Sequence, residues 1–299
     1  MFSFTKEQKI FEISGIKIGG QPGIFPTVLF GGLFFKGEPN FISAENQIKK
    51  MLGLSKKVGN PAIPDFFIRK KQYIEDILNF IVKILPEDYP FSIDIIEPDL
   101  KIKTLELLNE KNLLSRTIYN SIHVGITDGE RDALKKYTPE MAIIVAFNPK
   151  DKSPDGKIEV LFNGANLIDT GLLDIAKKLG IKKILVDTAA MVPGDYSGAS
   201  IAAIPVIKEE LGLPTGCAIH NVVEKSKWLD NFDSARKPVD ASSNINIPLF
   251  GGDFAIFGPM IHAGLVFPII AWQDILISEY TESYFGITPD DSHPRRRLF

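Results

Sequence analysis

A single cysteine, Cys217, stands among 299 residues. No disulfide can form within the chain, and a cysteine-built metal centre is excluded. The composition therefore points to a reducing compartment, the cytoplasm. Basic residues are not in excess: 34 Lys and Arg stand against 37 Asp and Glu, a formal net charge of −3. A duplex nucleic-acid binder, which shows a basic stripe, is excluded. Met1–Lys9 is mixed polar without an apolar run, so no signal peptide is expected. No strand-length run is followed by Gly-x-Gly-x-x-Gly opening a helix, which weakens a dinucleotide-binding open sheet. A Gly-x-Ser-x-Gly elbow is missing. So are His-x-His and His-Glu-x-x-His spacings. No lysine ends a strand where a Schiff base would need one. Cys217 and His220 lie three apart, but along a strand their side chains would point to opposite faces, so no bound metal is expected.

What is present is an ordinary globular composition, 44% hydrophobic and 24% charged. Apolar runs of strand length alternate with amphipathic stretches. The runs are Thr27–Phe35, Ala62–Ile68, Phe91–Ile96, Thr117–Val124, Met141–Phe147, Ile184–Asp187, Thr215–His220 and Phe254–Phe257. Helices are expected near Ser43–Leu54, Gln72–Ile84, Leu100–Glu110, from Thr127, and over Leu172–Leu179, Gly198–Leu211 and Ile261–Tyr280. Thr127 and Glu130 have capping-box spacing. Leu249–Trp272 is long and apolar enough to span a bilayer. It also holds Asp253, Pro259, His262 and Pro268 and reads better as buried strand, turn and helix.

Eight strand-then-helix units with continuous apolar strands predict an α/β fold, a closed (β/α)8 TIM barrel, as one domain over residues 1–299. A Rossmann-type sheet is the runner-up. Residues 1–25 contain an expected β-hairpin at Ile10–Ile18, with Ser14-Gly15 at its turn. Asp151–Asn163 reads as a turn plus a short extra strand. Residues 287–299 read as an extended, solvated tail carrying Arg295–Arg297.

A barrel of this kind places its active site at the C-terminal ends of its strands. Those ends carry Asp94 and Glu97, Tyr119-Asn120-Ser121, Asn148, Asp187-Thr188 and His220-Asn221, and Ser242–Asn246 precedes the last strand. Each Asp or Asn alone could be a helix cap. Five consecutive strands ending this way exceed what capping requires. A carboxylate accepts from an amino group and a neighbouring ring N–H together, and an amide donates and accepts in one plane. Such a rim suits a flat heterocycle rich in amide and amine edges.

The segments Ile18-Gly19-Gly20-Gln21-Pro22-Gly23, Ile118-Tyr119-Asn120-Ser121-Ile122, Ala146-Phe147-Asn148-Pro149, Asp187-Thr188-Ala189 and Ile219-His220-Asn221-Val222 carry a resemblance. In order and spacing the chain resembles the MtrH family, the H subunits of tetrahydromethanopterin S-methyltransferase, and its soluble relatives. More distantly it is similar to other pterin-binding barrels. The resemblance implies methyl transfer between the cobalt of a corrinoid, carried by a partner protein, and N5 of tetrahydromethanopterin or tetrahydrofolate, in one-carbon metabolism. By the same resemblance Asp94, Asn120 and Asp187 grip the pyrimidine edge of the pterin and Asn148 adds a contact. Asn221 reaches N5, which makes Asn221 and Asp187 the catalytic candidates. A homodimer is implied as well. His220 reads as a packed histidine at a strand end.

Two other readings stay open on the same barrel. A dihydropteroate-synthase-like condensing enzyme would need Lys or Arg on the late strands to hold a leaving pyrophosphate. A non-catalytic barrel would only dock a corrinoid protein. Arg69-Lys70-Lys71, after the second strand, could attract an anionic pterin tail but reads first as a solvated helix start. Gly194–Gly198 gives the loop after strand six its freedom.

Overall fold

Eight parallel strands close into one barrel in the computed structural model, which describes residues 3–35, 37–192, 194–232 and 234–298. In chain order the elements begin with an antiparallel pair, β1 (Ile10–Ile13) and β2 (Ile16–Gly19). Next come β3 (Val28–Phe35), α1 (Phe41–Val58), β4 (Ala62–Ile68), α2 (Ile74–Ile84), β5 (Phe91–Asp94) and α3 (Pro98–Glu110). The middle of the chain forms β6 (Thr117–Ile122), α4 (Asp128–Lys136), β7 (Met141–Val145), α5 (Pro154–Phe162), α6 (Leu172–Lys178) and β8 (Lys183–Asp187). It continues through α7 (Ser197–Leu211), β9 (Thr215–Cys217), α8 (His220–Glu224), α9 (Arg236–Ser243) and α10 (Asn246–Leu249). The last elements are β10 (Phe254–Pro259), α11 (Ala263–Phe285) and α12 (Pro294–Leu298). β10 pairs with both β9 and β3, which closes the cylinder.

The strands are apolar on both faces because each face is covered. Leu29, Phe66 and Phe257 point outward beneath the helices and join one core cluster. Phe30, Ile63, Ile118, Ile143, Leu185 and Phe254 point inward and form a second cluster with Ile13 and Ile18 of the hairpin. The hairpin thus plugs the N-terminal end of the barrel. Its turn residues, Ser14 and Gly15, have φ of 49° and 80°, as a two-residue turn matching the strand twist requires. Along the strands the inward positions change from apolar to polar: Ile63 gives way to Asp65, Ile118 to Asn120 and Leu185 to Asp187. The side-chain period of two makes these residues share the interior. The closed end is greasy and the open end is hydrophilic.

Buried charges fasten the frame. Asp274, within the long apolar α11, accepts from the Thr27 backbone N–H at 2.9 Å, the Thr27 hydroxyl at 2.7 Å and the Asn60 amide at 2.6 Å. Lys208 donates to Asp253 at 2.6 Å and to the Gly20 carbonyl at 2.9 Å. Met260–Phe285 is long and apolar enough to cross a membrane, with half of its most apolar stretch buried against the protein. In the barrel its helical part, α11, is the eighth covering helix.

Four expectations change. Asp151–Asn163 forms no extra strand; it is the helix α5 with its leading turn. Ser153 caps it by accepting from the Gly156 N–H and Pro154 occupies the first turn, so Ser-Pro-Asp starts a helix here. The tail is not simply extended and solvated. Pro294–Leu298 is helical, Arg295 donates to the Ser278 carbonyl and pairs with Glu282, and Arg297 donates to the Lys56 carbonyl. The seventh barrel strand ends at Cys217, so His220 opens a short helix and does not sit on a strand opposite Cys217. Ser242–Asn246 is the end of α9 and the start of α10, where Asn244 and Asn246 bond to the helix backbone. The Thr127 cap is present, its hydroxyl accepting from the Glu130 N–H.

Candidate active site

At the open end a cavity of about 130 Å³ is lined by Asp65, Asp94, Asn120, Asp187, His220 and Asn221, with Gly32, Phe34, Ala218, Ile256 and Gly258 completing its wall. The strands set this arrangement. Asp94 on β5 is in register with Asn120 on β6, and Asp65 on β4 is in register with Ser92 on β5. Three neighbouring strands therefore present acid, acid and amide along one side. Asp187 ends β8 and faces them from the other side. Asn221 follows on α8, exposed at the mouth.

Two glycines shape the walls. Gly258 has φ of 80°, and a Cβ there would meet the His220 ring within 2.2 Å. A Cβ on Gly32 would meet the Phe34 ring at 2.8 Å. The lack of side chains lets the imidazole and the phenyl ring close on the cavity. Phe34 remains 41% exposed and tilts against Phe67, 5.6 Å between ring centres. It offers an apolar ring face at the mouth.

The three carboxyls share a shielded space and are hard to ionise together. Burial pushes Asp65 up to about 6, although Ser92 and Asn120 favour its charged form. Its Oδ1 is buried without a hydrogen-bond partner among the described residues. Burial also raises Asp187 to about 6, opposed by the Ala189 backbone N–H and by Lys157. That N–H donates to Asp187 Oδ1 at 2.8 Å. Asp94 is held well above the usual carboxylate range by burial first, then by the charges of Asp65 and Asp187, with Lys101 pulling the other way. Carboxyls raised by burial, one of them with a vacant oxygen, mark this cavity as the candidate binding site.

Behind this wall Lys101 donates to Glu130 and to the Ser121 carbonyl, each at 2.9 Å. The Tyr119 hydroxyl donates to the same Glu130 oxygen at 2.6 Å. This pair, 1% exposed on both sides, holds β6 against α3 and α4. Beside Asn221, Asp240 of α9 accepts from two imidazoles: His220 Nδ1 lies 2.9 Å from Oδ1 and His262 Nδ1 lies 2.9 Å from Oδ2.

Four of the residues expected from the sequence, Asp94, Asn120, Asp187 and Asn221, meet at this one cavity. Asn148 does not. Its Nδ2 donates to the Gly156 carbonyl at 3.1 Å, and its Oδ1 accepts from the N–H groups of Lys150 and Asp151 at 3.0 and 3.1 Å. It is 2% exposed and ties the loop before α5. Sequence reasoning misses Asp65, yet its signal is present: a lone acid inside the apolar run Ala62–Ile68. His262 and Asp240 have no local signal, since only the fold unites them with His220. Arg69 lies over the Phe67 ring at 5.0 Å. The loop containing Gly194 is tied by an ion pair between Asp195 and Lys152. Among the described residues no group of three or more His, Cys, Asp or Glu is arranged to hold a metal ion.

A closed barrel of eight parallel strands covered by helices, with a polar cavity at its open end, defines the class: a TIM barrel. Dihydropteroate synthases have the same fold. The Coxiella burnetii structure, in complex with pteroic acid, superposes with a TM-score of 0.61 at 12% identity, covering 89% of this chain and 98% of that one. The Yersinia pestis structure, in a sulfonamide complex, also gives 0.61 at 12% identity, covering 92% and 99%. The profile of the tetrahydromethanopterin S-methyltransferase MtrH subunit matches residues 6–289. The chain is 36% identical to the H subunit of tetrahydromethanopterin S-methyltransferase from Methanothermobacter thermautotrophicus, with 100% of both chains covered. It is 35% identical, again with 100% of both covered, to the H subunit of a putative mtx methyltransferase from Methanosarcina barkeri. The protein belongs to the MtrH family of tetrahydromethanopterin S-methyltransferases.

Proposed function

We propose that this chain is the methyltransferase that moves a methyl group between the cobalt of a corrinoid, carried by a partner protein, and N5 of tetrahydromethanopterin. The observation that carries the reading is the convergence of Asp65, Asp94, Asn120 and Asp187 on one shielded cavity in a chain of this family. A pterin edge offers an amino group and ring N–H donors. The raised carboxyls and the vacant Asp65 oxygen are the matching acceptors. The Phe34 face is placed to cover the planar ring system at the mouth.

The corrinoid supplies the methyl acceptor or donor itself, so the chain needs no covalent nucleophile. Its residues position and polarise. Holding N5 in line with the reacting methyl removes on the order of 7–11 kcal/mol of barrier. Asn221, exposed at the mouth, is the amide placed to bond N5 as its charge changes. Asp187 and Asp94 hold the far edge of the ring and so fix the direction in which N5 faces. Tetrahydrofolate differs from tetrahydromethanopterin away from this edge, and both fit the same acceptors.

The exposed Leu265, Trp272 and Leu276 repeat along one face of α11 and support a homodimer. The single cysteine, buried and free, supports a cytoplasmic setting. A pyrophosphate-releasing condensation is disfavoured, because among the described residues no Lys or Arg lines the cavity.

The test is spectroscopic. Methylcobalamin, or a methylated corrinoid protein, is incubated with the chain and either pterin while the cobalt absorption is followed. Pterin-dependent loss of the methyl–cobalt band supports the assignment. No pterin-dependent change with a competent corrinoid protein overturns it.

A further inference from the structure

A buried carboxylate between two imidazoles, at the edge of the substrate cavity, is not used by a mechanism of positioning alone. Asp240 is 2% exposed and gives one oxygen to each ring, at 2.9 Å to His220 Nδ1 and 2.9 Å to His262 Nδ1. A carboxylate oxygen accepts, so each Nδ1 carries a hydrogen, and in the neutral form of either ring the bare nitrogen is Nε2. Neither Nε2 has a hydrogen-bond partner among the described residues, and neither is sealed off as a buried orphan. His220 lines the cavity beside Asn221, and Gly258 gives up its side chain so that the ring can stand there. His262, on the short turn before α11, is partly exposed outside that cavity. One ring thus faces substrate, the other faces outward, and the shared acid fixes both.

Resting on the methyltransferase reading above, we propose that His220 is the proton-transfer residue for N5, with Asp240 and His262 as positioning residues. The methyl transfer itself calls for such a group. When the methyl leaves the pterin, the N5–carbon bond breaks and its electron pair stays on nitrogen. Co(I) provides the pair for the new carbon–cobalt bond. N5 must then gain one proton, and Nε2–H of protonated His220 gives it, leaving a neutral ring. In reverse, N5 attacks the methyl, the carbon–cobalt pair returns to cobalt, and bare Nε2 takes the proton that N5 sheds. Either way one proton moves for each methyl. An amide such as Asn221 can bond N5 but cannot supply that proton.

The charged groups around the ring agree with this role. Asp240 approaches from α9, and His262 shares it. Across the cavity stand Asp187 of β8, Asp94 of β5 and Asp65 of β4. β10 brings the uncharged Gly258 against the ring. Arg236 of α9 is spent on the Val223 and Glu224 carbonyls, at 2.7 and 3.2 Å, and on Asp230. Carboxyls thus face the cavity beside the ring from β4, β5 and β8 as well as from α9.

The experiment compares wild type with His220→Gln, His220→Ala and Asp240→Asn. Tetrahydromethanopterin binding is titrated by fluorescence, and single-turnover methyl transfer is measured from pH 5 to 9. His220→Gln is expected to bind the pterin within about twofold of wild type and to transfer methyl about 10²–10⁴-fold more slowly, without the wild-type pH limb. Imidazole added to His220→Ala should restore part of the rate, which a packing role would not produce. Nitrogen NMR of the free protein should show both rings as Nδ1–H tautomers, lost in Asp240→Asn. A wild-type rate and pH profile in His220→Gln, or Nε2–H tautomers in the free protein, overturns the proposal. Wild-type protein that transfers no methyl removes the underlying reading, and this inference with it.

Discussion

Asp94 and Asn120 stand in register on adjacent parallel strands, β5 and β6, and both open onto the same cavity. Parallel pairing makes an acid and an amide side-by-side neighbours, at a spacing fixed by the sheet and not by a loop. A rigid pair of this kind is suited to reading one edge of a flat ring.

Asp65 should make the site costly to keep charged. Burial holds its carboxyl up to about 6, against 3.8 for the free group. Between those values the folded chain binds more protons than the unfolded chain, so its contribution to stability falls as pH rises through that window. Above it the charged group costs up to about 3 kcal/mol. Asp65→Asn should therefore melt above wild type at pH 8, with the advantage fading towards pH 4. Equal melting temperatures at both pH values would contradict the raised carboxyl.

Asn221→Ala should keep its fold and its pterin affinity while methyl transfer falls on the order of 10²-fold, the size expected for losing one polarising donor. Wild-type turnover at saturating pterin removes Asn221 from the mechanism.

Asn148→Ala separates a loop tie from a substrate contact. It removes bonds to Gly156, Lys150 and Asp151 and should cost about 1–3 kcal/mol in denaturant unfolding. Pterin affinity should stay within about twofold. A tenfold loss of affinity in a stably folded variant would restore Asn148 as a contact.

Lys101→Met should be among the most damaging substitutions away from the cavity. It leaves Glu130 buried without its cation, a loss of about 3–5 kcal/mol. Lys101→Met combined with Glu130→Gln should recover much of this, because no charge then remains uncompensated. Equal unfolding free energies for the single and double variants would count against the pairing.

Much of the barrel is legible because its strands are short apolar runs covered on both faces, and period two then places Asp94, Asn120 and Asp187 inside. The same rule points to Asp65, an acid in an otherwise apolar run, but attention to strand ends passes over it because it lies before the end of its strand. Ser153-Pro154-Asp155 reads as a turn or as a helix start by local chemistry alone, and packing against α7 and α6 decides for the helix. His220 reads as packing only if its strand runs three residues further than it does. Asp240 and His262 are beyond the reach of sequence, since a carboxylate shared by residues 20 and 22 positions away exists only after the chain has closed. Asn148 ends its strand like the others, but the tight turn after β7 claims its amide.

The most direct measurement is a fluorescence titration of tetrahydromethanopterin into wild type, Asp94→Asn and Asp187→Asn at constant salt. Saturable one-to-one binding by wild type is expected, weakened about 10- to 150-fold in each variant, as for the loss of a hydrogen bond to a charged group. Identical binding curves for all three folded proteins would contradict a pterin seated on this rim.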